Sequence, residues 1–288
     1  MLRRQQTGSV LCASCGVLVG VNEKTCYNCG RRNPGLWGFA PALRSLGHDM
    51  GFVPFVIGTC VILYGLTLVY TVSSGGSIGM GGLFGLLSPS YPASFLFGMS
   101  GWEPVVRFGR WWTVLSAGWL HGGALHIFFN MSVLQQMAPA TADVYGPGRT
   151  IIIYTAGSVA GFTLSTLAGT FLGFMPWPLN PGLATLGASA SISGLLGAIM
   201  YFGRRGGSGM ARSYASRYIV MLVVIGLLPG IDNYAHAGGF GGGYLAARLL
   251  DPLKPERVDH IVIALVCLAL SLISVAVSFL HGLQFMGT

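Results

Sequence analysis

Residues 185–203 read Thr-Leu-Gly-Ala-Ser-Ala-Ser-Ile-Ser-Gly-Leu-Leu-Gly-Ala-Ile-Met-Tyr-Phe-Gly, carry no charge, and run into Arg204-Arg205. A helix needs about 20 mostly apolar residues to cross a bilayer core, and arginines gather at its cytoplasmic end. The stretch therefore reads as a membrane span. It also places Ser189, Ser191 and Ser193 near the start of that span, where hydroxyls need a reason to be.

Six more stretches of this kind flank it, at roughly 52–72, 118–138, 150–174, 216–231, 234–250 and 259–281. The whole composition agrees: 52% of the 288 residues are hydrophobic, 8% are charged, and the mean hydropathy is +0.66. Soluble domains carry roughly 25% charged residues. A soluble enzyme, a disordered chain and a nucleic-acid binder are excluded. The 45 glycines point to closely packed helices. The expectation is an all-α polytopic membrane protein in the lipid bilayer, with six spans and a seventh C-terminal one.

Orientation follows from the basic residues. With the N-terminus cytoplasmic, every Lys and Arg falls inside except Arg107 and Arg110 in the first loop. Trp102, Trp111, Trp112, Trp119 and Trp177 then gather on the outer side, as an interfacial belt would. Residues 1–11 show no apolar h-region of a signal peptide, so the first span is expected to serve as the insertion signal.

Ahead of the spans stand Cys12-Ala-Ser-Cys15-Gly and Cys26-Tyr-Asn-Cys29-Gly. Two C-x-x-C-G turns can wrap a tetrahedral ion, and a cytoplasmic location disfavours disulfides. A structural zinc site of Cys12, Cys15, Cys26 and Cys29 is expected, in a module resembling a minimal zinc ribbon that could dock a cytoplasmic protein partner. With all four ligands from protein, no position remains for catalytic water. Cys60 and Cys267, isolated in spans, read as packing residues.

Polar groups recur at one depth. Spans two, four and six all run inward, and each opens on such groups: His126 and Asn130 at i and i+4, Ser189 to Ser193, and Asp232-Asn233-Tyr234-Ala235-His236. The stripes His236/Gly239/Gly243 and Ser189/Ser193/Gly197 would let two helices approach closely and bring Ser189 to His236. A serine beside a histidine is an activated nucleophile, and Asn130 with His126 could hold an oxyanion. Ser191 should face away, Ser193 is the rival nucleophile, and Asp232 reads as a helix cap rather than a third triad member. His121 is expected to line the outer opening or pack in the loop.

These runs, with Gly194-Leu195-Leu196-Gly197-Ala198 and Ala235-His236-x-Gly238-Gly239, resemble the rhomboid intramembrane serine proteases over roughly residues 50–250. The resemblance implies a Ser189–His236 dyad, His126 and Asn130 as oxyanion donors, and transmembrane protein substrates cleaved near the outer leaflet of the cell membrane. Together with the cysteine pairs and the linker that follows them, it gives an expected division into a zinc-ribbon-like module (1–32), a linker (33–51), a six-span catalytic core (52–250), and a connector with the seventh helix (251–288). Three positions depart from the family pattern. Ala190 replaces a glycine and is expected to crowd the oxyanion site or restrict the backbone. Ser193 stands where an aromatic ring would stack on the base. Thr113 follows Trp112 where a loop-structuring arginine would stand.

The alternatives are a catalytically inactive rhomboid-like protein that binds transmembrane clients, and a transporter. Against the latter, no carboxylate or lysine lies deep in a span and no inverted repeat is visible.

Overall fold

The computed structural model describes residues 4–45, 47, 49–80, 85–176 and 179–286. Trp177 lies outside them. The chain begins with a small hairpin in which β1 (Ser9–Leu11) pairs antiparallel with β2 (Leu18–Gly20). Val10, Val19 and Val21 fill its core together with Cys12 and Cys26. A short helix, α1 (Ala40–Arg44), leads to the bilayer-spanning part.

Seven long helices follow among the described residues: α2 (Phe52–Ser73), then, after loop 1, α5 (Ala124–Tyr145), α6 (Pro147–Leu172), α7 (Ser189–Arg205), α8 (Gly209–Gly226), α9 (Asn233–Leu250) and α10 (Val258–Met286). Loop 1 contains the short helices α3 (Tyr91–Phe97) and α4 (Thr113–Ser116) and a 3-10 turn at Ala117–Trp119. The fold is a six-helix bundle with a seventh helix behind it.

By length and composition, three of these helices could cross a membrane: α2, α6 and α10. The helices α7, α8 and α9 have only 17 or 18 residues, about 26 Å of rise. Their starts differ from the expected spans for local reasons. α7 begins at Ser189 rather than 185 because the preceding strand-like segment pairs with loop 1, Ser100 and Thr185 exchanging backbone hydrogen bonds of 3.0 and 2.8 Å. α8 starts seven residues earlier than read, where Ser208 Oγ caps the Ala211 amide at 3.2 Å. α5 starts later, at Ala124, because 117–123 is taken up by the 3-10 turn and its exit.

α6, α7 and α9 form the centre, and glycine sets their spacing. A methyl on Gly239 would collide with the Ala190 carbonyl, and one on Gly243 with Gly194. In membranes, such backbone approach is what holds helices together. The α7 stripe facing α9 is thus Ala190/Gly194/Gly197, not Ser189/Ser193/Gly197. Ser193 is buried and its hydroxyl has no hydrogen-bond partner.

At the opposite end from Ser189, Arg149 in the first turn of α6 donates to the carbonyls of Leu250, Asp251 and Lys254 at 2.8 to 3.0 Å. Those carbonyls lie at and beyond the C-terminus of α9, which a cation satisfies. The cysteine module docks on this same end.

Candidate active site

Ser189 is the first residue of α7, and His236 lies one turn into α9. The two helices bring His236 Nε2 to 2.9 Å from Ser189 Oγ. Asp232 caps α9, with Oδ1 accepting the Ala235 amide at 2.9 Å and Oδ2 accepting the Ser165 hydroxyl. It is therefore occupied as a cap, as its sequence position suggested, and His236 Nδ1 has no hydrogen-bond partner.

His126 and Asn130 come from one face of α5. His126 Nδ1 accepts the Gly122 amide at 3.3 Å, so the neutral ring carries its proton on Nε2. That edge faces Gly187, two residues before Ser189. A methyl on Gly187 would stand 2.7 Å from His126 Nε2 and 3.7 Å from Asn130 Nδ2. Gly187 has φ +128°, a conformation that glycine adopts without strain. The missing side chain thus leaves a small space beside Ser189 bounded by two donors. Asn130 Nδ2 is buried without a partner, which is costly unless something else accepts its proton.

Ser189, His236, His126 and Asn130 line one end of a 340 Å³ cavity between α5, α7, α8 and α9. The rest of its wall is apolar, including Phe129, Val133, Met221 and Ile225. A second cavity, of 630 Å³, is lined by Gly122, Asn180, Thr185 and Asp232 and meets the first at His126.

The departures from the family pattern acquire a physical reading. The Ala190 methyl points away from this space, into a cluster with Ala117, Phe162 and Ala235 and towards Gly161 of α6. It does not crowd the pocket beside Gly187. Ser193 offers no ring to His236. The loop-structuring arginine precedes the tryptophans instead of following them: Arg110 is fully buried, donates to the Phe95 carbonyl at 2.6 Å and that of Ser278 at 2.7 Å, and lies over the Phe95 ring. Sequence reasoning counted Arg110 only as a charge on the outer side. Its place directly before Trp111-Trp112 was the available signal. His121 does not line the opening; it is buried, edge-on to His126 with ring centroids 5.2 Å apart.

The four N-terminal cysteines also converge. Their Sγ atoms all lie within 4.8 Å of one another, with Cys12–Cys29 and Cys15–Cys26 each at 3.7 Å. Those distances exclude disulfides, whereas a tetrahedral ion about 2.3 Å from each sulfur needs sulfurs roughly 3.8 Å apart. The cluster could hold a metal ion. Burial raises the Cys29 thiol to about 12; at Cys15 burial also pushes upward, but hydrogen bonds from the Val17 amide, Asn28, Cys29 and Cys12 together outweigh it and lower the thiol to about 6.

A half-buried serine–histidine pair in a helical membrane bundle defines a class of membrane-embedded proteins. The rhomboid domain model matches residues 108–253, and the chain belongs to the rhomboid family. It is 32% identical over 181 residues to rhomboid protease GluP of Bacillus subtilis (strain 168), covering 62% of this chain and 32% of that one. It is 33% identical over 177 residues to RHOMBOID-like protein 7 of Arabidopsis thaliana, covering 57% and 51%. Inactive RHOMBOID-like protein 8 of Arabidopsis thaliana matches at 27% over 224 residues, 68% of this chain and 58% of that one. The chain spans about a third to a half of the length of the first two relatives.

Proposed function

We propose that the protein is an intramembrane serine endopeptidase acting on transmembrane protein substrates. The observation that carries this reading is the 2.9 Å contact between His236 Nε2 and Ser189 Oγ beside the two-donor space at Gly187. Ser189 Oγ attacks the scissile carbonyl carbon while its proton passes to His236 Nε2. The oxyanion accepts from His126 Nε2–H and Asn130 Nδ2. Collapse breaks the C–N bond, and His236 returns the proton to the departing amine. Water then repeats the sequence on the acyl-enzyme, entering through the second cavity past Asn180 and Thr185.

Substrate must present an extended backbone to Ser189, so locally unstable transmembrane helices are the favoured class. The apolar cavity towards α8 suits such a segment. We assign the core to 52–250, flanked by the module at 1–32, the linker at 33–51 and the seventh-helix segment at 251–288, with the N-terminus cytoplasmic. The sulfur spacing suits zinc as the ion of the four-cysteine cluster, in a structural role.

A second reading is a catalytically inactive client binder. Ser193 in place of a ring over His236, and a relative described as inactive, favour it. Fluorophosphonate labelling of the detergent-purified protein decides between them. Labelling of the wild type that is lost in Ser189→Ala and His236→Ala, but kept in Ser193→Ala, supports the protease. A folded wild type that takes no label supports the binder, and loss in Ser193→Ala alone would move the nucleophile to Ser193.

A further inference from the structure

The seventh helix is outwardly a lipid-facing element: Val277 and Leu280 are 38% and 66% exposed. Between them Ser278 is fully buried, and Ser271 and Ser274 are buried on the same face. Buried hydroxyls on a membrane helix need partners. Those of Ser278 all belong to loop 1. Its carbonyl accepts from Arg110 Nη2 at 2.7 Å, its hydroxyl accepts from Trp112 Nε1 at 3.1 Å, and Ser116 Oγ lies 3.5 Å away. Gly98 sits opposite, where a methyl would come within 2.5 Å of Ser278 Oγ.

Loop 1 in turn grips the segment that leads into Ser189. Ser116 Oγ donates to the Gly98 carbonyl at 2.7 Å, and Thr113 Oγ1 is 3.2 Å from Ser100 Oγ. Ser100 and Thr185 share two backbone hydrogen bonds, and the Glu103 amide donates to Leu183 O at 2.9 Å. The residue after Ser116, Ala117, accepts the Gly187 amide at 2.9 Å. Gly187 is the residue whose bare Cα faces His126 and Asn130. A continuous set of polar contacts therefore runs from α10 through loop 1 to the backbone two residues before Ser189.

We propose that Ser278 is a positioning residue, through which the seventh helix fixes loop 1 and thereby the 183–187 segment that aims Ser189. The proposal rests on the protease reading only for its effect on rate. Displacements near 1 Å at a reacting group cost about a hundredfold, so a looser 183–187 segment lowers reactivity without removing any reacting group. An element that merely anchors the bundle would not do this.

The test compares wild type, Ser278→Ala, Trp112→Phe, their double variant and Leu280→Ala, a lipid-facing control on the same helix. Two readouts are used in the same detergent: amide hydrogen exchange of peptides covering 182–188, and the second-order rate of fluorophosphonate labelling. The expected result is exchange at 182–188 accelerated about tenfold in Ser278→Ala and by up to that in Trp112→Phe, a similar fall in labelling rate, and a double variant no worse than Ser278→Ala, since the Trp112 bond is already lost in it. Leu280→Ala should match wild type. Trp112→Phe is the milder change and stands in if Ser278→Ala fails to fold. Faster exchange confined to loop 1 and α10, with 182–188 unchanged, overturns the proposal. A wild type that takes no label refutes the protease reading instead, and the exchange result still decides this one.

Discussion

Arg31 and Glu256, 225 positions apart in the chain, meet with Nη1 3.5 Å from Oε2, both side chains out of solvent. Arg31 lies two residues past Cys29, and Glu256 lies on the segment joining α9 to α10. The other carboxylate oxygen of Glu256 accepts the Arg149 amide at 2.9 Å, at the start of α6. The cysteine module is thus fastened to the end of the bundle opposite Ser189, with Arg149 satisfying the last carbonyls of α9.

That pair should be fragile in one direction only. Burial raises the Glu256 carboxyl above its ordinary value against the pull of the Arg149 amide and Arg31. Desolvation is therefore the larger effect, and removing Arg31 leaves the buried Glu256 carboxylate without its ion-pair partner, held only from the Arg149 side. Arg31→Met is expected to destabilise by about 3 to 5 kcal/mol, and Arg31→Met/Glu256→Gln to recover most of that loss. Thermal unfolding in detergent reads both. Equal loss in the single and double variants would mean that the contact is not a paired interaction.

The metal follows from the same seam. The purified protein should carry one zinc ion per chain by elemental analysis, and Cys26→Ser should lose it. Because ion binding is also folding energy for such a module, chelation should expose residues 8–32 to protease. The midpoint should fall, through the lost Arg31 contact, by no more than Arg31→Met itself produces. An intact module after complete chelation would show that the hairpin core of Val10, Val19 and Val21 suffices alone.

Ala190 yields a prediction opposite to the one its sequence position invites. Its methyl fills the contact with Gly161 and Phe162 and does not reach the Gly187 space. Restoring the family glycine with Ala190→Gly should therefore leave labelling and cleavage rates within about twofold. It should also destabilise by roughly 1 to 2 kcal/mol, from the lost methyl burial and the looser helix. A large gain in rate would show that the methyl does hinder the site.

How much of this was legible in the sequence depends on the range of the contact. The spans, the cysteine pairs and the 126/130 spacing are short-range patterns of hydropathy and periodicity, and they can be read directly. The cap at Asp232 is local too. The helix starts were missed because hydropathy does not fix them: loop pairing sets Ser189, the preceding 3-10 turn sets Ala124, and the Ser208 cap sets Gly209. Arg110 and Ser278 were missed for a deeper reason. They meet each other across 168 residues, and although the place of Arg110 before Trp111-Trp112 was a local signal, nothing in a single sequence announces Ser278 as its partner. The α7 face was misread for a related cause: serine and glycine are both small, and only the packed helices distinguish Ser193 from Gly194.

The space beside Gly187 gives the sharpest test of the chemistry. If it receives an oxyanion, the donors around it act on the transition state and not on bound substrate. Asn130→Ala should then lower kcat by about 10²- to 10³-fold with little change in KM. Gly187→Ala should do at least as much, because its methyl would occupy the position 2.7 Å from His126 Nε2 and would also hold φ +128° under strain. The two losses should not add, since each removes the same stabilisation. Cleavage kinetics of a single-span reporter in liposomes measure both parameters. A rise in KM with kcat intact would instead make His126 and Asn130 substrate-binding groups, and the oxyanion would have to be held by the backbone amides at the start of α7.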